Sequence, residues 1–339
     1  MTAQHNQSHC DKSHEQTYLL TNDLGERIAG LRFVGVKTPA ADDPLFIDFH
    51  EQVKNKVAAM LPSVKVVSYD MKQLVEEVWI EASHIKDIIK DAVVVSSCAE
   101  VANVRRGHTL EINRIVNEHG EVIGLGPRPG NPSLECQLNS LVSVADGNPV
   151  VLVEDGIFTG STICYLLDEF AKRKVRVSSI VAGLSFPKAR DRISKKHAGE
   201  IITIKEAGVP FEWMPDHDFI PFAPNCGRVF GGRFGDEILP FYTHDGVSYA
   251  FPYVMPFGDP VAWASIPKDH ALEFSLYCCQ TALELFRRID KMNGKSITVH
   301  DLMGSTPRVS VPMTVSNGRL PNADVPISGF LSDICHELA

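Results

Sequence analysis

The stretch VVLVEDGIFTGSTI, residues 150–163, opens with four apolar residues, Val150 to Val153, of the kind that form a strand covered on both faces, as in a parallel sheet between helices. Glu154 and Asp155 follow without a break, and neighbouring carboxylates at a strand end repel each other unless water, a cation or hydroxyl donors share their charge. Gly156, Ile157, Phe158, Thr159, Gly160, Ser161 and Thr162 then bring two glycines and three hydroxyls. The next run, ICYLLDEFAKRK, spaces Ile163, Leu166, Leu167 and Phe170 as one face of a helix and ends in basic residues, which suit a helix C-terminus. The order is strand, loop, helix.

The same alternation extends to either side. LRFVGVKT at 31–38 and VKVVSYD at 64–70 read as strands with a helix at 50–61 between them, and MKQLVEEVWIEASHIKDIIKD at 71–91 reads as a long amphipathic helix before the buried strand AVVVSS at 92–97. EVIGLG at 121–126, the loop PRPGNP at 127–132 and a helix at 133–146 precede the key strand. Beyond it come VRVSSIVAGL at 175–184, a helix near 188–196 and EIITI at 200–204. Strands alternating with helices predict an α/β fold with a doubly wound, mostly parallel sheet flanked by helices. The expected division is a flexible N-terminal leader at 1–29, the α/β core at 30–235, and an appended C-terminal α+β subdomain at 236–339 acting as a hood or dimer element. That last part holds the amphipathic helix ALEFSLYCCQTALELFRRI at 271–289 and two short strand candidates, GKSITVHDL and RVSVPMTVS. In such sheets ligands sit beyond the carboxyl ends of the strands, where Glu154, Asp155, Ser96 and Ser97 are expected to converge.

A turn of Thr159, Gly160, Ser161 and Thr162 at a helix start offers backbone N–H groups, hydroxyls and the positive end of the helix dipole, a combination that favours a phosphate. Carboxylates suit a different group, the hydroxyls of an attached sugar. Together they describe a ribose 5-phosphate. A capped α/β turn with no ligand is the simpler alternative. The residues VVLVEDGIFTGST resemble the ribose-phosphate loop of the type I phosphoribosyltransferases, over about a dozen positions. The resemblance implies that Glu154 and Asp155 bind the ribose 2′ and 3′ hydroxyls of phosphoribosyl diphosphate, that Thr159 to Thr162 form the cradle of its 5′-phosphate, and that Gly156 and Phe158 belong to the same substrate-binding loop. It also implies Mg²⁺, held mainly by the ligand's oxygens and water rather than by the protein.

Other positions follow from the same resemblance with less support. SSCAEVAN, beginning at Ser96 and Ser97, stands where the family carries its diphosphate loop but has no glycine to let backbone N–H groups approach. Arg105 and Arg106 are candidate diphosphate contacts or a solvated basic turn, and Arg128 sits in a Gly/Pro-rich loop that is either a lid or a plain connector. Lys188 lies near the place of a base-contacting lysine of the purine members, and Phe219 or Phe222 is a candidate to stack on a base, although at least one of them is expected in the core. Purine members carry a third Asp three residues after the acid pair as general base. Here that position is Phe158, so the base lies elsewhere, with Glu100 and His108 as candidates, or the acceptor arrives already nucleophilic. The catalytic residue is left unassigned.

A length of 339 residues, with 22% charged and 44% hydrophobic, fits a globular enzyme, and no run approaches the roughly 20 apolar residues of a membrane span. No membrane association is expected. The polar first 17 residues lack a signal-peptide core, and the eight cysteines show no C-x-x-C spacing, so a cytoplasmic protein with reduced thiols is expected. A net charge of −9 argues against a nucleic-acid partner. No P-loop signature occurs, and the thirteen histidines form no zinc pattern. Two functions remain open: a Mg²⁺-dependent phosphoribosyltransferase joining phosphoribosyl diphosphate to a nitrogen base or related small-molecule acceptor, or a non-catalytic module that senses phosphoribosyl diphosphate or a nucleotide. A homo-oligomer is expected in either case.

Overall fold

The computed structural model describes residues 16–97, 108–313 and 321–339. Before the key strand the chain forms β1 (Gln16–Asn22), α1 (Leu24–Gly30), α2 (Pro44–Met60), β2 (Lys65–Asp70), α3 (Met71–Ile88), β3 (Val93–Ser96), β4 (His108–Thr109), β5 (Ile112–Val116), β6 (Val122–Pro127) and α4 (Leu134–Ala145). The key strand is β7 (Val150–Ile157), followed by α5 (Ser161–Lys172), β8 (Val177–Ser185), α6 (Pro187–Ser194), β9 (Glu200–Glu206) and β10 (Val209–Pro215). The chain closes with β11 (Arg228–Phe234), β12 (Glu237–Pro240), β13 (Ser248–Phe251), α7 (Pro260–Ala264), α8 (Ala271–Asn293), β14 (Arg308–Ser310) and α9 (Ile327–Leu338).

The fold is mixed α/β, with parallel sheets flanked by helices. β4, β3, β7, β8 and β9 lie side by side in that order, each pair parallel. β7 is central, and its alternate residues face different helices. Val150 and Leu152 cluster with Leu138 and Leu141 of α4, Leu166 and Phe170 of α5 and Ile193 of α6. Val151 and Val153 cluster with Val78, Ala82 and Ile85 of α3 on the other face. Burial on both faces is why the strand reads as an unbroken apolar run rather than an alternation. Asp70 caps α3, accepting a hydrogen bond from the Gln73 N–H at 2.9 Å, and Ser133 caps α4 by accepting from the Cys136 N–H at 3.4 Å.

Two further sheets complete the molecule. β10, β1 and β2 run parallel, with β1 in the middle. β14, β13, β11, β5 and β6 form a mixed sheet, and β12 pairs antiparallel with β11. A large core joins these sheets to α2, α8 and α9 through Phe49, Phe274, Phe286 and Leu331.

Four expectations change. Part of the leader expected at 1–29 is structured: residues 16–22 are β1, with Tyr18, Leu19 and Leu20 fully buried. The polar residues ahead of it hid a short central strand. The strand expected at 31–38 is instead a 3₁₀ turn over Leu31–Val34 that extends α1 and stops at Gly35, whose φ of 86° is readily adopted only by glycine. Buried Leu31 and Val36 around an exposed Phe33 satisfy a tight turn as well as a strand. The boundary expected at 235/236 falls in a tight hairpin, since Phe234 of β11 pairs with Glu237 of β12. Strands from both sides of it therefore share one sheet. Within the C-terminal part RVS is β14, while GKSITVHDL gives an isolated bridge, Thr298 to Pro326, and a 3₁₀ turn.

Candidate functional site

β7 delivers its acid pair into a cavity of about 500 Å³ beyond the carboxyl ends of the strands, and Ser97, Glu154, Asp155, Gly156, Phe158, Thr159 and Thr162 all line it. The Ser97 hydroxyl donates to the Glu154 carboxylate, and the Ser97 N–H donates to the Val153 carbonyl at 3.1 Å, so the end of β3 fixes the first acid. Asp155 accepts a hydrogen bond from the Gly156 N–H at 2.7 Å. Gly156 is required by its neighbour: a Cβ there would lie 2.1 Å from the Trp213 ring, which crosses over from β10 and donates from its indole N–H to the Thr21 hydroxyl at 3.4 Å.

Gly160 adopts φ 75° immediately before α5, and the Thr159 and Ser161 hydroxyls are 2.9 Å apart, with the Ser161 N–H 3.4 Å from Thr159 Oγ1. Of this turn Thr159 and Thr162 line the cavity, whereas Gly160 and Ser161 do not, so the start of the twelve-residue helix borders one corner of it. Phe158 packs edge-on against Phe186 with ring centroids 5.2 Å apart and presents an apolar surface to the cavity.

The rest of the lining includes a wall from β5, β10, β11, β14 and the segment after β13. Arg228 sits against both Trp263 and Tyr253, which meet edge to face, its guanidinium carbon 4.3 Å and 5.2 Å from their ring centroids. It donates to the Gly120 carbonyl at 3.2 Å and to the Tyr253 hydroxyl at 3.3 Å. Arg308, only 3% exposed, donates to the carbonyls of Asn225, Cys226 and Gly227 at 2.5, 3.2 and 2.8 Å. Arg114 of β5 faces the cavity from an exposed position. Arg128 also lines it, with Nε 3.1 Å from Glu111 Oε2. Glu212 is the buried carboxyl of this wall. It accepts from the Trp213 N–H at 3.1 Å and from the Ser265 hydroxyl at 2.9 Å, and burial pushes its pKa above the ordinary carboxylate range despite those bonds and the nearby Arg228 and Arg114. Beside the wall, Asp23 joins Arg27 at 2.6 Å to His217 at 2.7 Å.

Other residues singled out in the sequence lie elsewhere. Phe219 is fully buried against Phe274, ring centroids 5.0 Å apart, and Phe222 packs edge-on to Phe257 and Phe330, so both phenylalanines belong to the core and neither lines the cavity. Lys188 is exposed on α6 and does not line it. Ser96 is buried behind Ser97, with its carbonyl accepting from the Leu110 N–H at 2.7 Å. His108 is exposed on β4 and is not among the lining residues. Glu100, Arg105 and Arg106 lie outside the described residues. Trp213, Glu212, Arg114, Arg228, Tyr253, Trp263 and Arg308 were not legible, because they come from separated segments that share no local motif. Among the described residues no group of three or more His, Cys, Asp or Glu side chains could hold a metal, and no helix is long and apolar enough to cross a membrane.

No family model matches the chain, and no curated protein matches it. Among solved structures it is similar to the crystal structure of TT1426 from Thermus thermophilus, at 16% identity over 40% of this chain and 83% of that one, with a TM-score of 0.27.

Proposed function

We propose that the chain is a cytoplasmic phosphoribosyltransferase that moves the ribose 5-phosphate group of phosphoribosyl diphosphate to a nitrogen base or related acceptor and releases diphosphate. One observation carries this reading: the acid pair and the two threonines that bound the hydroxyl turn, Thr159 and Thr162, elements of opposite electrostatic character, line the same cavity. Asp155 and Glu154 accept hydrogen bonds from the ribose hydroxyls, with Ser97 holding Glu154 in place. The turn holds the 5′-phosphate with hydroxyls and helix N–H groups. Phe158 and the Trp213 ring keep water from the anomeric carbon as its bond to diphosphate lengthens. With Asp absent at position 158, we take Glu212, which lines the cavity, as the general base toward the acceptor, a role its raised pKa suits.

The donor set fits Mg²⁺ of the kind that keeps its waters and takes phosphate oxygens, since the acid pair offers carboxylates without a closed protein cage. An ion held by the ligand's oxygens beside the acid pair would supply positive charge to offset that of the diphosphate. The test is diphosphate release from phosphoribosyl diphosphate as a panel of nitrogen bases is added. Release that depends on one base and disappears in Asp155→Asn is expected. Tight binding of phosphoribosyl diphosphate with no release across a broad panel would favour the sensing module instead, which Phe158 in the base position also suits.

A further inference from the structure

The sheet β10-β1-β2 is parallel throughout, and its carboxyl ends open on a cavity of their own, of about 560 Å³. Asn22 at the end of β1, Asp70 at the end of β2 and Asp216 directly after β10 line it together with His50 of α2. Parallel α/β sheets take their ligands at that end. None of His50, Ser68 and Asp216 lines the cavity beside β7, yet the three are joined to one another. His50 Nδ1 lies 3.0 Å from Asp216 Oδ2, and His50 Nε2 lies 2.5 Å from the Ser68 hydroxyl. The other carboxylate oxygen of Asp216 accepts from the Asp23 and Leu24 N–H groups, both at 3.0 Å, which sets its orientation. A carboxylate can only accept, so Nδ1 donates to it and Nε2 turns its lone pair toward Ser68. His50 and Asp216 are 5% and 2% exposed, whereas Ser68 is half-buried on the outer strand of the sheet, two residues before Asp70 and so on the same strand face.

We infer that Ser68, His50 and Asp216 form a nucleophile, base and positioning residue, a second active centre that hydrolyses carboxylic esters bearing a positive charge. The nitrogens are used in the order that serine acyl transfer requires, Nε2 toward the hydroxyl and Nδ1 toward the carboxylate. The serine oxygen attacks the carbonyl carbon while its proton passes to His50 Nε2. The bond from that carbon to the alcohol oxygen then breaks, and the alcohol leaves with the proton. Water attacks the acyl-serine by the same route, releasing the acid and restoring the hydroxyl, while Asp216 keeps the imidazole in its tautomer. β2 pairs on one side only within its sheet, so its outer edge offers backbone N–H groups to the developing oxyanion. Charge at the cavity mouth selects the substrate. Of the exposed carboxylates that line it, Glu26 meets Lys72 at 3.4 Å and Glu51 meets Lys54 at 3.2 Å. Asp42 and Asp70 meet no basic side chain among the described residues, and their charge is left for a cationic group.

The experiment treats the full chain with a fluorophosphonate, which captures a serine activated by a neighbouring base, and maps the adduct by peptide mass spectrometry. Hydrolysis of 4-nitrophenyl acetate and of a 4-nitrophenyl ester carrying a quaternary ammonium is followed in parallel, with no ribose phosphate present, so the outcome is independent of the transferase reading. The adduct is expected on Ser68, and the cationic ester is expected to react faster, by a margin that shrinks at high salt. Ser68→Ala should abolish labelling and hydrolysis with an unchanged melting midpoint, and it serves if the buried variant does not fold. Asp216→Asn should lower kcat by about a hundredfold or more with little change in KM, because the imidazole loses its tautomer and not its place. A parent chain that takes no label, or labelling and hydrolysis that persist in Ser68→Ala, overturns the inference. Equal rates for the two esters at every salt concentration overturn the assignment of a cationic substrate.

Discussion

Asp155 and Gly156 do two jobs in adjacent positions, one chemical and one steric. Asp155→Asn replaces a charged acceptor with a group that is partly a donor, so affinity for phosphoribosyl diphosphate should fall by about ten- to a hundredfold, the worth of about 1.5–3 kcal/mol in charged hydrogen bonds, with the thermal midpoint unchanged; calorimetry and a melting curve check both parts. Gly156→Ala acts differently, because its Cβ would meet the Trp213 ring at 2.1 Å. The ring must move, and overpacking of this kind costs about 1–3 kcal/mol, visible as a lower denaturation midpoint alongside weaker ligand binding. Glu212 gives a pH signature. Its pKa is raised, chiefly by burial, so the carboxylate needed as a base is formed only above the ordinary carboxylate range, and turnover should climb with pH through that raised value. Glu212→Gln should remove this limb from the pH profile and lower kcat by about 10²–10⁴-fold. An unchanged profile would show that the proton goes elsewhere.

Among the elements, the helices were the most legible, because α3, α4 and α5 each bury one stripe and expose the other. β7 was legible for the opposite reason: covered on both faces, it needs four consecutive apolar residues. The segment 31–38 is ambiguous in sequence because the buried pair Leu31 and Val36 fits both a strand and a tight turn, and only the backbone at Gly35 decides between them. α2 offers a test of how its entry is fixed. Asp43 accepts from the Leu45 N–H at 3.0 Å and meets both terminal nitrogens of Arg288 at 3.1 and 2.8 Å, joining α2 to α8. The Leu45 N–H and then Arg288 hold its carboxyl below the ordinary range. A depressed carboxylate pKa contributes stability that is present above the unfolded value and lost as pH falls through the folded one. Asp43→Ala should therefore cost about 1–2 kcal/mol in urea unfolding at neutral pH, and the gap to the parent chain should close in acid below the ordinary Asp range.

At the scale of the whole molecule, half of the cavity was written locally and half was not. The wall of the acid pair and the hydroxyl turn lies within one strand-turn-helix, so thirteen consecutive residues carry the resemblance. The arginine wall exists only once β5, β11 and β14 share a sheet, and positions 114, 228 and 308 have no spacing that could announce it. Phe219 shows the converse: an aromatic residue in a suggestive segment was taken by the core, its ring against Phe274. The account stands on the claim that the corner formed by β7 and the start of α5 binds a ribose 5-phosphate group. Competition against labelled phosphoribosyl diphosphate measures this directly. Ribose 5-phosphate and nucleoside monophosphates should displace the label while free ribose does not, because the turn's N–H and hydroxyl donors reward a dianion and offer an uncharged sugar little. Displacement by ribose as effective as that by ribose 5-phosphate, or no displacement by ribose 5-phosphate at millimolar concentration, would contradict it.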